Sequence, residues 1–174
     1  MSRPARIAHL ARRFAGSLWP GGPRPDGAAW AAARLTEREA DLWRSMSGAD
    51  RRHSLGVARR VAEALPDADR PVLAAALLHD VGKVEAGLGT YGRVVATLSA
   101  AAAGRDQAEA WSATRGFTRK VGLYLRHPEL GGDMLALAGS DPLTVAWARE
   151  HHLPPDQWSL DPTIAGALKA ADDD

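Results

Sequence analysis

Residues Asp69–Lys83 read DRPVLAAALLHDVGK, and the rest of the chain is interpreted outward from them. Asp69 can cap a helix, and Pro71 falls in its first turn, where a missing N–H leaves no hydrogen bond unmade. Val72–Leu78 is the longest uninterrupted apolar run of the sequence. It is far too short to span a bilayer, which takes about 20 apolar residues. At helical spacing Val72 and Ala76 lead to His79, and Leu73 and Leu77 lead to Asp80. Both polar residues therefore end an apolar stripe and point to the core side. Lys83 lies four residues after His79 and three after Asp80, so it stays beside them if the helix runs on. Gly82 marks a plausible stop.

Helical patterns continue in both directions. Thr36 and Glu39 have capping-box spacing and open a helix to about Ser47. Asp50 can cap the next, to about Leu65, whose stripe Val57, Val61 and Ala64 begins one turn earlier with His53. Further helices are expected at Tyr91–Ala103, Gly116–Arg126, Pro128–Ala138, Pro142–His152 and Pro162–Asp172. In the last two, Leu143 and Trp147 lead to His151, and Ile164 and Leu168 lead to Asp172. No stretch alternates with period two in the manner of a strand. The fold class is all-α. Residues 4–18 form an amphipathic pattern through Ile7, Leu10, Phe14 and Leu18, with arginines mostly off the stripe. Such a helix either packs across the main domain or meets a membrane surface or partner. The breaker-rich Trp19–Gly27 follows it. The organisation expected is an N-terminal helix and Pro/Gly-rich loop over 1–30 and a helical domain over 31–174.

Composition narrows the function classes. At 174 residues, 45% hydrophobic and 25% charged, the chain can close one core without staples. A formal net charge of +1 gives no reason to expect a nucleic-acid wrapper. The absence of cysteine removes disulfides, thiolate ligands and a cysteine nucleophile. No apolar signal-peptide region is present, so a cytoplasmic location is the expectation.

The six histidines are His9, His53, His79, His127, His151 and His152. Taken singly, a histidine on an apolar face is ordinarily a hydrogen-bonded core residue, and a buried aspartate is a cap or half of an ion pair. Several together, each ending or beginning the apolar stripe of a different helix, carry a large desolvation cost unless something compensates. A divalent cation satisfies imidazole nitrogens and carboxylate oxygens at once. A metal site inside a helical bundle is the expectation.

His53 in RHSLGVA, His79-Asp80 in LLHDVGK and a distant Asp172 in LKAADDD resemble the HD-domain superfamily of metal-dependent phosphohydrolases. RHPELGGDML around His127 and AREHH with His151 and His152 are similar to segments of the HD-GYP and HDIG-type phosphodiesterase branch. The Gly-Tyr-Pro segment of that branch is absent, the chain reading LPPDQWSLDP instead. The resemblance implies an HD-domain helical bundle with an extra N-terminal amphipathic helix. It further implies two divalent transition-metal ions, iron or manganese ahead of nickel, cobalt or zinc. His53, His79, Asp80 and Asp172 would hold the first ion. Asp80 would bridge, and His127, His151 and His152 would hold the second. Lys83 would contact substrate phosphate or the water between the metals. The reaction implied is attack of a metal-activated hydroxide on a phosphate ester of a small phosphorylated substrate, a nucleotide or a (cyclic) dinucleotide.

Two other readings share these residues: a di-iron oxygenase on the same fold, and a non-catalytic nucleotide-sensing module. Glu129 and Glu150 flank ligand histidines, either as orienting carboxylates or as solvated acids. Arg52, Arg93, Arg119, Lys120 and Arg126 could bind phosphate, although an exposed helix face accounts for most of them. Trp147 is read as core and Asp173-Asp174 as a solvated end.

Overall fold

A computed structural model describes residues 21–89, 92, 95–96 and 107–173. The expected N-terminal helix over 4–18 and nearly all of that at Tyr91–Ala103 lie outside the described residues, as do His9, Arg93 and Asp174. Within them the protein is all-α, with no strand. The helices are α1 (Pro25–Ala32), α2 (Glu37–Ser45), α3 (Gly48–Ala64), α4 (Arg70–Leu78), α5 (Lys83–Ala86), α6 (Ala108–Ser112), α7 (Gly116–Leu125), α8 (His127–Ala138), α9 (Pro142–Glu150) and α10 (Pro162–Asp173). No helix among the described residues is long and apolar enough to cross a membrane.

Every residue of Val72–Leu78 is buried, so α4 is enclosed on all sides. It packs against α3 and α9. In the main core its side chains meet Trp43, Val57, Val61, Leu135, Trp147, Ala165 and Leu168. A second, smaller core gathers Ala86, Leu88 and Val121 under α5 and α7.

Local signals act where the sequence placed them, with two corrections. The capping box forms: Thr36 Oγ1 accepts from Glu39 N at 3.3 Å, and Glu39 Oε2 accepts from Thr36 N at 2.8 Å. Glu39 is fully buried and pairs with Arg70 at 2.9 Å. Asp69 caps α4 by accepting from Val72 N. Asp50, however, does not cap α3. Ser47 does, accepting from Asp50 N at 3.2 Å, which leaves Asp50 inside the first turn. The Pro/Gly loop also ends earlier than expected, because Pro25 and Asp26 open α1. Of the two courses left open for α4, running on to Lys83 or stopping near Gly82, the helix takes the second. It ends at Leu78, and His79–Gly82 turn through short bonds such as Val81 N to Leu78 O and Lys83 N to Asp80 O, both 3.0 Å.

Two features bring the site's helices together. Thr144 Oγ1 donates to the Pro71 carbonyl at 3.0 Å, tying the start of α9 to the start of α4. Gly82 has an ordinary helical φ, so its value lies in its size. A Cβ there would overlap the His127 carbonyl oxygen and come within 2.6 Å of Gly131 N. The missing side chain lets α8 cross directly over the turn that carries His79 and Asp80.

Candidate metal centre

His53 projects from α3, and His79 and Asp80 from the turn after α4. His127 opens α8, His151 and His152 follow α9, and Asp172 sits in the last turn of α10. All seven side chains converge. His53 Nε2 lies 2.9 Å from Asp172 Oδ1, and His79 Nε2 lies 3.5 Å from that same oxygen. His79 Nε2 is also 3.5 Å from Asp80 Oδ2. Asp80 Oδ1 faces the other way, 3.4 Å from His127 Nε2 and 3.7 Å from His151 Nε2. His152 Nε2 approaches His127 Nε2 to 3.2 Å. Asp80 thus offers one oxygen to each of two donor groups: His53 and His79 on one side, and His127, His151 and His152 on the other.

The imidazoles are oriented by backbone. His79 Nδ1 lies 3.0 Å from the Ala76 carbonyl, His127 Nδ1 2.7 Å from that of Tyr124, and His151 Nδ1 2.9 Å from that of Ala148. A carbonyl only accepts, so each Nδ1 carries the proton and each Nε2 presents a lone pair inward. All three rings bond the carbonyl three residues back, at the end of the helix that carries or precedes them. His79 Nε2 and His151 Nε2 are buried and have no hydrogen-bond partner. Such atoms are costly to leave unsatisfied. Bonds of about 2.0–2.2 Å from one metal ion to nitrogen or oxygen would put neighbouring donors roughly 3–3.5 Å apart, close to the spacings seen.

The charges are strongly coupled. Burial works to raise the carboxyl pKa of Asp80, but the charges of Lys83 and His79 outweigh it and hold it well below the usual range. Asp172 likewise stays low against burial, through His79 and the bond from His53. His79 is raised, because Asp80 and Asp172 prevail over burial. His127 is pushed down to about 4, chiefly by burial, and His151 shifts in the same direction for the same first cause. Lys83 is kept charged: Asp80, Tyr124 and Asp50 outweigh the burial that would discharge it. Its Nζ lies 2.5 Å from Asp80 Oδ2.

Asp50 and Tyr124 enter the site without having been singled out as site residues. Asp50 is buried, and its charge bears on Lys83. The Tyr124 ring lies 5.7 Å from that of His127, and Lys83 Nζ is 5.9 Å from its centre. A tyrosine three residues before a histidine that starts a helix was the available signal. Arg60 is a further positioning residue. Its Nε and Nη2 donate to the Ala171 carbonyl at 2.9 and 2.7 Å, fixing the turn that carries Asp172. Neither flanking glutamate orients a ring: Glu129 pairs with Arg126 at 2.9 Å, and Glu150 accepts from Ser159 N and Oγ at 2.7 and 2.6 Å. Arg119 and Arg126 donate to Ser112, Lys120 is exposed, and Asp173 pairs with Lys169. Trp147 is buried in the core, edge-on to Trp158.

No family model matches the chain, and no curated protein or solved structure does so either.

Proposed function

We propose that the protein is a metal-dependent phosphohydrolase that cleaves a phosphate ester of a small, nucleotide-like substrate. One observation carries the reading. Five imidazole Nε2 atoms and two carboxylates face one another in a largely buried cluster, with two of those nitrogens orphaned and three tautomers fixed to aim a lone pair inward. Neutral imidazole and carboxylate donors suit divalent transition metals. His53, His79 and Asp172 would hold one ion and His127, His151 and His152 the other, with Asp80 placed between the two groups. Divalent cations, when bound, supply Lewis acidity toward phosphoryl oxygens and water.

The chain's own groups do the rest. Asp80 and Asp172, held ionised, would balance cationic charge in a largely buried site. Lys83, charged and with its side chain 13% exposed, pairs with Asp80, whose side chain is buried. From there it can attract an anionic substrate and stabilise charge developing on phosphoryl oxygens. Tyr124 flanks the same ammonium.

Purified protein is expected to carry one to two transition-metal equivalents per chain by elemental analysis and to hydrolyse bis-nitrophenyl phosphate. His79→Ala and Asp80→Ala are each expected to abolish that hydrolysis. Absence of metal after reconstitution with iron, manganese and nickel in turn overturns the reading. So does oxygen uptake without phosphate release.

A further inference from the structure

The two oxygens of Asp80 differ in what they face. Oδ1 faces imidazole nitrogens, His127 Nε2 at 3.4 Å and His151 Nε2 at 3.7 Å. Oδ2 lies 3.5 Å from His79 Nε2 and also holds the Lys83 ammonium at 2.5 Å. The backbone puts the ammonium there: Lys83 N donates to the Asp80 carbonyl at 3.0 Å, so the two side chains start from one tight turn. A cation bonded to Oδ2 at about 2.1 Å would lie within roughly 5 Å of Nζ. Two positive centres that close repel strongly where water is scarce, and only 4% of the Asp80 side chain and 13% of that of Lys83 are exposed.

Lys83 has a second seat within reach. The Tyr124 ring centre lies 5.9 Å from Nζ, inside the range at which an aromatic face attracts an ammonium. Buried Asp50 adds negative charge that bears on the same group. The flexible four-carbon stem of a lysine allows its head to move while its backbone stays.

We propose that Lys83 and a divalent cation compete for Asp80 Oδ2, so that loading of the His53, His79 and Asp172 group releases the ammonium toward Tyr124, where it is free to meet an anionic substrate. The substrate clause rests on the phosphohydrolase reading, whereas the competition rests only on the metal centre. Zinc, a diamagnetic ion, is the probe. Calorimetric titration of zinc into the metal-free full chain is expected to show binding at least tenfold tighter for Lys83→Met than for wild type. A lysine that merely held Asp80 in place for the ion would give the opposite sign. Lys169→Met removes an equal charge from an exposed pair with Asp173, next to Asp172, and is expected to stay within twofold of wild type. Unchanged or weaker binding by Lys83→Met, or equal tightening by Lys169→Met, overturns the proposal. A second measurement needs no variant and so holds even if Lys83→Met folds poorly. In wild type carrying isotope-labelled lysine, NMR is expected to show the Lys83 ammonium protons exchanging with water at least several-fold faster once zinc is bound, with exposed Lys120 unchanged. Lys83 exchange that stays as slow in the zinc-bound protein also overturns it. Failure of the phosphohydrolase reading would appear separately, as metal-loaded wild type in which Lys83 is released but bis-nitrophenyl phosphate is not hydrolysed.

Discussion

Each of His79, His127 and His151 depends on a single bond from Nδ1 to a carbonyl three residues earlier. That bond decides which nitrogen is protonated, and so whether the ring can serve as a donor to a cation. The same rings set how the metal-stripped protein responds to acid. A histidine with a lowered folded pKa is protonated first in the unfolded chain, so stability falls as pH drops through the window between the two values. For His127 that window runs from the ordinary 6.5 down to about 4. His151 and His152 act in the same sense. His79, raised, opposes them, since its contribution is fully present below 6.5. With three against one, the urea midpoint of chelator-treated protein is expected to fall between pH 7 and pH 4.5. The His127 share amounts to ~3 kcal/mol by pH 4, and His127→Gln should flatten the slope. A midpoint constant across the window would contradict this.

Among the elements, the crossing of α8 over the Asp80–Lys83 turn matters most. Gly82 faces backbone atoms of His127 and Gly131, which cannot rotate away as a side chain could. Gly82→Ala must push the helix start outward, and with it His127. Overpacking of this kind costs about 1–3 kcal/mol, and the variant is expected to lose metal from the His127 group. Gly122→Ala makes a comparable backbone overlap with Ser112 and Ala108, on α6. It should lower the melting temperature while metal content, read by elemental analysis, stays as in wild type. The sequence made some of this arrangement legible. Helical period alone put His53, His79, Asp80, His151 and Asp172 at the ends of apolar stripes, because apolar neighbours mark the core side. The sequence placed a stop at Gly82, but local signals do not fix the exact residue, and α4 ends four residues earlier, at Leu78. Asp50 was misread for a similar reason. Ser47 and Asp50 are both good caps, and only the backbone shows that Ser47 takes the role. Helix α1 was hidden among prolines and glycines that ordinarily signal a loop.

Across the whole molecule, the cluster is where α3, α8, α9, α10 and the turn after α4 are held to one another by polar groups. A ligand that binds only the folded state stabilises it by mass action, about 2.7 kcal/mol for one site at a hundred times its Kd. For a domain of this size that corresponds to roughly 5–10 °C in Tm. Manganese or iron added to chelated protein is expected to raise the calorimetric Tm by that order, and Asp172→Asn should remove much of the rise. An unchanged Tm at saturating metal would count against a centre shared by these helices.

The contact between His53 and Asp172 joins residues 119 positions apart. At a synthesis rate of about 5–20 residues per second, the ribosome delivers the second partner roughly 6–24 s after the first. During that interval the nascent chain already carries His79 and Asp80 but not the carboxylate that closes the ring. Closure of the His53–Asp172 pair therefore cannot precede synthesis of Asp172, however early His53, His79 and Asp80 emerge.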